Sequence, residues 1–172
     1  MADPRGPNTD RSRGFFALNA ALLRPRSVGS VSLTSKSCHS TPRCDLNLLS
    51  APEDWKTLRA ALKVSMRVAD QIRQSGYPLS DLDVPDSLCD IDLDNFIREK
   101  ATTMYHYSST CRMAPEDAQV PGVVDAHLRV YGTTKLRICD ASVFPDSPGT
   151  HPQALLYAFA EKCAAMIIGS SI

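Results

Sequence analysis

Two histidines stand in sequence surroundings that could support acid–base chemistry. His106 lies just before the hydroxyl-rich run 108–110, and His151 stands directly before Pro152. A neutral imidazole accepts a proton near physiological pH, so it suits the role of general base towards an alcohol hydroxyl. A single histidine is more often structural than catalytic, so residue type and position alone leave both interpretations open.

The sequence supports other catalytic and metal chemistries less well. Ser108 or Ser142 could serve as a nucleophile with His151, but no Gly-x-Ser-x-Gly elbow is present. Cys38, which is followed by a histidine, and Cys44 have no second ligand pair at zinc-finger spacing after them, so no metal site is expected. The six cysteines form no Cys-x-x-Cys pair and are expected to be reduced thiols.

The composition is that of one globular domain. The chain has 172 residues, 43% of them hydrophobic, and a formal net charge of zero. A neutral balance gives no electrostatic basis for binding nucleic acid or an anionic membrane surface. No apolar run approaches the roughly 20 residues of a membrane-spanning helix. A soluble protein is therefore expected.

The N-terminal segment admits two interpretations. Residues 1–14 lack hydrophobic periodicity and predict a flexible tail, which leaves residues 15–172 as one domain. Residues 15–23 are mostly apolar and follow three arginines, as in a secretion signal. However, Asn19 interrupts the run, and Arg24 closes it without a clear small-residue cleavage site. An intracellular protein without a signal peptide is expected, with secretion as the alternative.

Hydrophobic spacing predicts a long helix in the first half of the chain. Ser50 and Glu53 form a potential capping box, and Pro52 suits a first helical turn. Gly76 and Pro78 end the pattern, which predicts a helix of roughly 22 residues. The stripe expected to pack in a core consists of Trp55, Leu58, Leu62, Ser65, Ala69 and Ile72.

Two further helices and several short strands are expected. The acidic segment 80–94 lacks the glycine and terminal glutamate of an EF-hand loop and predicts a solvated loop with helix-capping aspartates. A second helix should begin at Asp92 or Asp94, and a final helix should follow His151. Short β-prone runs occupy 26–33, 123–125, 128–132 and 136–140, with a turn at 132–134.

The segment from His106 to Ile167 resembles the C-terminal region of the glucose–methanol–choline (GMC) oxidoreductases. With the upstream stretch 22–31, the resemblance covers roughly residues 16–168. No single element is decisive, but their shared order is specific. In order, they are His106, Ser109-Thr110-Cys111-Arg112-Met113, Val123-Val124-Asp125, Leu128-Arg129-Val130-Tyr131-Gly132, Leu136-Arg137-Ile138-Cys139-Asp140-Ala141-Ser142, Pro145 and His151.

This resemblance implies a fold and a reaction. The fold is α+β, with an antiparallel or mixed sheet flanked by helices, as in the family's substrate-binding domain, and a C-terminal strand–helix return to the flavin domain. In the family, FAD abstracts a hydride from an alcohol carbon while a histidine takes the hydroxyl proton. The resemblance implies that His106 is this base and that His151 is the residue, His or Asn, that orients the hydroxyl.

The resemblance also implies flavin contacts. Asp140 and Ala141 match a turn that approaches the ribityl–phosphate part of FAD, and Pro152 and Gln153 match a helix start near the pyrimidine ring of the isoalloxazine. A helix N-terminus presents unpaired N–H groups there, which suits the negative charge of the reduced flavin. Ser109 stands where the family often has glycine, which could alter a close backbone approach.

One part of the family pattern is missing from the sequence. The βαβ unit that binds the ADP half of FAD carries a Gly-x-Gly-x-x-Gly turn, and the eight glycines never form that spacing. An incomplete FAD site, a missing N-terminal half as partner, and a small-molecule alcohol as substrate are therefore expected. The alternative is a truncated, non-catalytic remnant that acts as a binding domain. The sequence leaves three points open: which alcohol is the substrate, which molecule accepts the electrons, and whether the enzyme is an oxidase or a lyase.

Overall fold

A computed structural model describes residues 14–169 of the chain. Its regular elements are β1 (Ser30–Ser32), β2 (Arg43–Asp45), α1 (Pro52–Gln74), α2 (Asp90–Lys100), a 3₁₀ turn (Ala141–Val143) and α3 (Gln153–Gly169). The combination of helices with an antiparallel sheet agrees with the expected α+β class. The predicted tail at 1–14, apart from Gly14, lies outside the described residues.

The sheet is much smaller than the β-prone runs predict. β1 and β2 pair antiparallel over three residues each, with Val31 opposite Cys44, and all six residues are exposed. The strand predicted over 26–33 thus shortens to β1. The runs predicted as strands between 123 and 140 make only isolated bridges within the described residues, such as Val124 with Val130. The short strands predicted there are not formed, because these runs turn too often to sustain a ladder.

α1 confirms the predicted long helix but not its predicted cap. The helix ends before Gly76, whose φ of +89° places it in the left-handed region that favours glycine. Its N-cap is Ala51, and no side chain caps it locally, so the Ser50 capping box is wrong. The Ala51 N–H instead donates to Ser27 Oγ at 3.0 Å. The hydrogen bond from Ala51 to the distant Ser27 therefore takes the place of the predicted local cap.

Asp54 joins the start of α1 to the segment before β1. Its side chain is 1% exposed and accepts hydrogen bonds from Arg26 N at 2.8 Å, Ser27 N at 2.9 Å and Ser27 Oγ at 2.5 Å. Burial by itself raises the pKa of Asp54, but the hydrogen bonds from Arg26 and Ser27 outweigh it and hold the pKa below its ordinary value. A buried, ionised carboxylate therefore anchors the N-terminal end of α1.

α2 packs against α1 with charged contacts at the rim. Arg59 Nη1 donates to Asp94 Oδ1 at 2.8 Å, and the Arg98 guanidinium lies 4.9 Å from the centre of the Trp55 ring. The helix begins at Asp90, earlier than predicted, with Asp90 and Asp92 in its first turn, where acidic side chains complement the helix dipole. The six residues of the predicted α1 stripe are only half-buried.

A compact core forms in the C-terminal third. Val124, Leu128, Val143, Phe144 and Cys163 are buried together, and Phe144 packs edge-on against Phe159 of α3 with ring centres 5.1 Å apart. α3 confirms the helix predicted after His151. This core fixes the 3₁₀ turn against α3, and the two histidines lie in the segments on either side of that turn.

Cys139 lies at the edge of this core, and its thiol should react slowly. Burial is the main cause that raises its pKa, followed by its contact with Cys163, so little thiolate forms near neutral pH. We expect iodoacetamide to modify the exposed Cys38, Cys44 and Cys89 at least about tenfold faster than Cys139. Peptide mass spectrometry over an alkylation time course measures this. Equal modification rates for Cys139 and Cys89 would contradict the placement of the Cys139 thiol at the edge of the core.

Candidate active site

The segment that carries His106 is held against the 3₁₀ turn by a backbone ladder. Ser109 N donates to Ala141 O at 3.1 Å, Cys111 N to Ser142 O at 2.9 Å, and Met113 N to Val143 O at 2.9 Å. Three successive bonds fix this segment's register, and with it the position of His106 relative to the turn.

Two residues around His106 have left-handed backbone. Tyr105 has φ of +61° and Ser109 has φ of +69°, values that residues other than glycine adopt at an energetic cost. A left-handed backbone at position 109 favours glycine, the residue that the resemblance implies for this position, and Ser109 adopts it here. These turns bend the chain so that His106 faces the loop leading into α3.

The segment that carries His151 follows the 3₁₀ turn. Asp140 caps that turn, since its Oδ1 accepts from Ser142 N at 2.8 Å. The chain then runs through Pro145 and Pro148, whose fixed φ limits the loop's freedom, and reaches His151 just before α3 begins.

The two histidines meet although 45 residues separate them. His106 Nε2 and His151 Nδ1 lie 3.2 Å apart, and the rings stand edge-on at 84° with centres 4.9 Å apart. A hydrogen bond at this distance needs one N–H and one bare nitrogen, so the pair requires complementary tautomers. His151 is exposed and His106 is half-buried, so the pair lies at the surface of the chain.

A serine pair, which sequence reasoning missed, also links the two histidine loops. Ser108 Oγ and Ser147 Oγ lie 3.2 Å apart, and Ser109 Oγ donates to Ser108 Oγ at 3.4 Å. Ser108 thus takes part in a loop contact, and Ser142 contributes its backbone to the ladder. Within residues 14–169, the hydrogen bonds of Ser108 and Ser142 go to groups other than histidines.

Asp125 organises the turn that supports this region. Its Oδ1 accepts from His127 N at 2.8 Å and Arg129 N at 2.9 Å, and its Oδ2 accepts from Arg129 Nε at 2.8 Å. Burial alone raises the Asp125 pKa, but these bonds outweigh it and hold the pKa low. The Val-Val-Asp and Leu-Arg-Val elements are therefore joined by one carboxylate.

The residues that the resemblance assigned to flavin contacts lie beside the histidine segments. Ala141 accepts the ladder bond from Ser109, and the adjoining Asp140 is exposed. Pro152 and Gln153 directly follow His151, and the first helical bond of α3 runs from Leu156 N to Pro152 O. The N–H groups of the first turn of α3 therefore have no partner within the helix and suit an anionic group.

The aromatic residues near the histidines differ in their surroundings. Phe144 is 1% exposed and belongs to the core, so it is a packing residue. Tyr105 and Tyr107 flank His106, are 72% and 54% exposed, and contact each other edge-on at 6.5 Å. The two tyrosines, and not Phe144, could contact a molecule at the histidine pair.

Two features of the described residues bear on other functions. Residues 14–169 contain no group of three or more His, Cys, Asp or Glu side chains placed to hold a metal ion. None of the helices in the same stretch has the length and apolar character to cross a membrane.

Comparison with known proteins agrees with the resemblance. The family model for GMC oxidoreductases matches residues 25–160. The chain is 37% identical over 163 residues to GMC oxidoreductase family protein Mala s 12 of Malassezia sympodialis, covering 91% of this chain and 25% of that protein. It is 34% identical over 165 residues to the oxygen-dependent choline dehydrogenase of Chromohalobacter salexigens, covering 95% of this chain and 29% of that protein.

Solved structures give the same result for the fold. A fungal aryl-alcohol oxidase superposes with a TM-score of 0.77 at 34% identity, covering 87% of this chain and 24% of that structure. The chain thus spans about a quarter of the length of the relatives it matches. The family match at residues 25–160 includes both His106 and His151. This chain belongs to the GMC oxidoreductase family, as part of its C-terminal domain.

Proposed function

We propose that this chain supplies the proton-handling residues of an FAD-dependent enzyme that oxidises the CH–OH group of a small alcohol. The observation that carries the proposal is the 3.2 Å approach of His106 Nε2 to His151 Nδ1. Two imidazole nitrogens this close can both contact one hydroxyl group. Family membership supports the reaction class.

The tautomers that satisfy the histidine pair also suit a hydroxyl. If His151 Nδ1 carries the proton, it donates to the alcohol oxygen and orients it, and the bare His106 Nε2 accepts the hydroxyl hydrogen. Oxidation of the carbon makes the hydroxyl more acidic, so the proton moves to His106 as the carbonyl forms. His106 is then the base and His151 the orienting partner.

Asp140, Ala141, Pro152 and Gln153 are proposed to hold the flavin. The exposed turn at Asp140 and the unpaired N–H groups at the start of α3 fit a group with a polar chain and an anionic ring. When bound, FAD would supply the hydride acceptor. Because Gln153 follows His151 closely along the chain, a ring held at this helix start lies on the same side of the domain as the hydroxyl site.

The rest of the proposed enzyme would cover surfaces that this chain leaves exposed. α3 carries exposed apolar residues, with Tyr157 67% and Ile168 68% exposed. A cavity of about 1020 Å³ lies between α1, α2 and residues 14–20, and Leu58, Leu62 and Phe96 contribute to its apolar lining. Apolar surface of this extent is favourable to bury. The relatives, about four times longer than the matched region, have the chain length to bury it.

Product formation in the flavin-loaded protein tests the proposal. This protein is the chain together with the flavin-binding segment that the family places before it, assayed with primary aliphatic and aryl alcohols and with oxygen or a quinone as acceptor. We expect aldehyde formation with at least one alcohol. If FAD is bound stoichiometrically and no alcohol yields a carbonyl product with either acceptor, the proposal fails and the non-catalytic binding domain is favoured.

A further inference from the structure

We propose that His106 and His151 also form a two-histidine binding site for a divalent transition-metal ion, with Zn²⁺ as the best-fitting ion. The ligand atoms would be His106 Nε2 and His151 Nδ1, with water in the other positions. Metal binding requires neither flavin nor alcohol and so goes beyond the proposed function. Imidazole nitrogen is a preferred ligand of zinc.

The spacing of the two nitrogens fits a tetrahedral ion. Zinc–imidazole bonds are about 2.0–2.1 Å long, and two such bonds at the tetrahedral angle place their nitrogens about 3.3 Å apart. His106 Nε2 and His151 Nδ1 lie 3.2 Å apart. The rings stand edge-on at 84° and do not stack, so neither ring covers the other. The ion replaces the hydrogen bond, and both rings turn so that His106 Nε2 and His151 Nδ1 face one point beside the line that joins them.

The two ligands are positioned before any ion binds. The ladder between residues 109–113 and 141–143 fixes one loop to the other, and the contact of Ser108 with Ser147 adds a second tie. Ligands held in place lose little conformational entropy on binding, which favours chelation over binding at single surface histidines.

The surroundings leave the remaining coordination positions to solvent. His151 is exposed, so an ion can enter from water, and residues 14–169 contain no cluster of three or more metal-binding side chains. An ion there would occupy the place proposed for the alcohol oxygen. It would therefore inhibit oxidation, a consequence that, unlike the binding, rests on the proposed function.

The test is a zinc titration of the 172-residue chain labelled with ¹⁵N. Cys38, Cys44 and Cys89 are first replaced with serine, because exposed thiols also bind zinc. Imidazole ¹⁵N NMR should show His106 Nε2 and His151 Nδ1 shifting together to a one-to-one end point, and EDTA should reverse the shift. The exposed His39 and His127 serve as internal references and should not shift over the same range.

Matched variants complete the test. His106→Gln and His151→Gln should each weaken zinc binding by more than about tenfold, since loss of an outer-sphere partner alone often costs that much. His127→Gln should leave the affinity unchanged. The proposal is overturned if the ¹⁵N signals of His106 and His151 do not shift while zinc saturates other groups. It is also overturned if the signals of His39 and His127 shift at the same zinc concentrations. Neither outcome bears on alcohol oxidation, which is assayed separately.

Discussion

Replacing His106 with alanine should lower kcat of the flavin-loaded protein by about 10²- to 10⁴-fold, the usual range for loss of a general base. The reason is local. His106 Nε2 lies 3.2 Å from His151 Nδ1 and is the nitrogen proposed to accept the hydroxyl proton. Steady-state aldehyde formation measures the loss. A base that acts during oxidation contributes mainly to kcat, so KM should change much less.

Two further substitutions separate chemistry from folding. His127→Ala removes an exposed histidine whose ring takes no part in the pair, and it should leave kcat within about twofold, as surface changes usually do. His151→Asn keeps a polar group that can hold the hydroxyl, so it should retain more activity than His151→Ala. Equal kcat for wild type and His106→Ala would show that His106 is not the base.

Asp54 carries the largest expected effect on stability. Replacing it with alanine leaves Arg26 N, Ser27 N and Ser27 Oγ without their acceptor at the start of α1. Unsatisfied buried donors cost about 1–3 kcal/mol each, and partial hydration of this segment should limit the total to about 3 kcal/mol. Urea unfolding followed by circular dichroism measures the change. Asp70→Asn, on the exposed face of the same helix, should cost less than about 0.5 kcal/mol.

The Asp54 contribution should also depend on pH. The folded-state pKa of Asp54 lies below its ordinary value of 3.8, so ionised Asp54 stabilises the fold above that value. This stabilisation is lost as the pH falls through the folded-state pKa. The difference in unfolding free energy between wild type and Asp54→Asn should therefore shrink as the pH falls below about 5 and on through the folded-state pKa. A difference that does not change with pH would mean that folding does not lower the pKa of Asp54.

The helices were predictable because their signals are local. The spacing of apolar residues and the stop at Gly76 defined α1 to within a few residues, and the apolar run after His151 defined α3. The cap of α1 was not predictable, because Ala51 and Asp54 bind a segment more than 20 residues away. The strands failed for a related reason: strand pairing depends on distant partners, and a β-prone run that turns early forms only a bridge.

The candidate site was predictable only in part. Position and residue type marked His106 and His151 as possible bases, and the family resemblance joined them, but nothing local indicated that their nitrogens approach within 3.2 Å. The contact of Ser108 with Ser147 had no sequence signal, since serines are common in loops. The left-handed backbone of Ser109 had one indirect signal, the glycine that the family resemblance implied for that position.

The central claim is that the histidine pair takes the proton as an alcohol is oxidised. The most direct measurement is anaerobic rapid mixing of the flavin-loaded protein with an accepted alcohol, following the visible absorbance of the flavin. We expect rapid bleaching in the wild type and bleaching slower by at least about 10²-fold in the His106→Ala/His151→Ala double variant with its flavin still bound. Equal rates in the two proteins would contradict it.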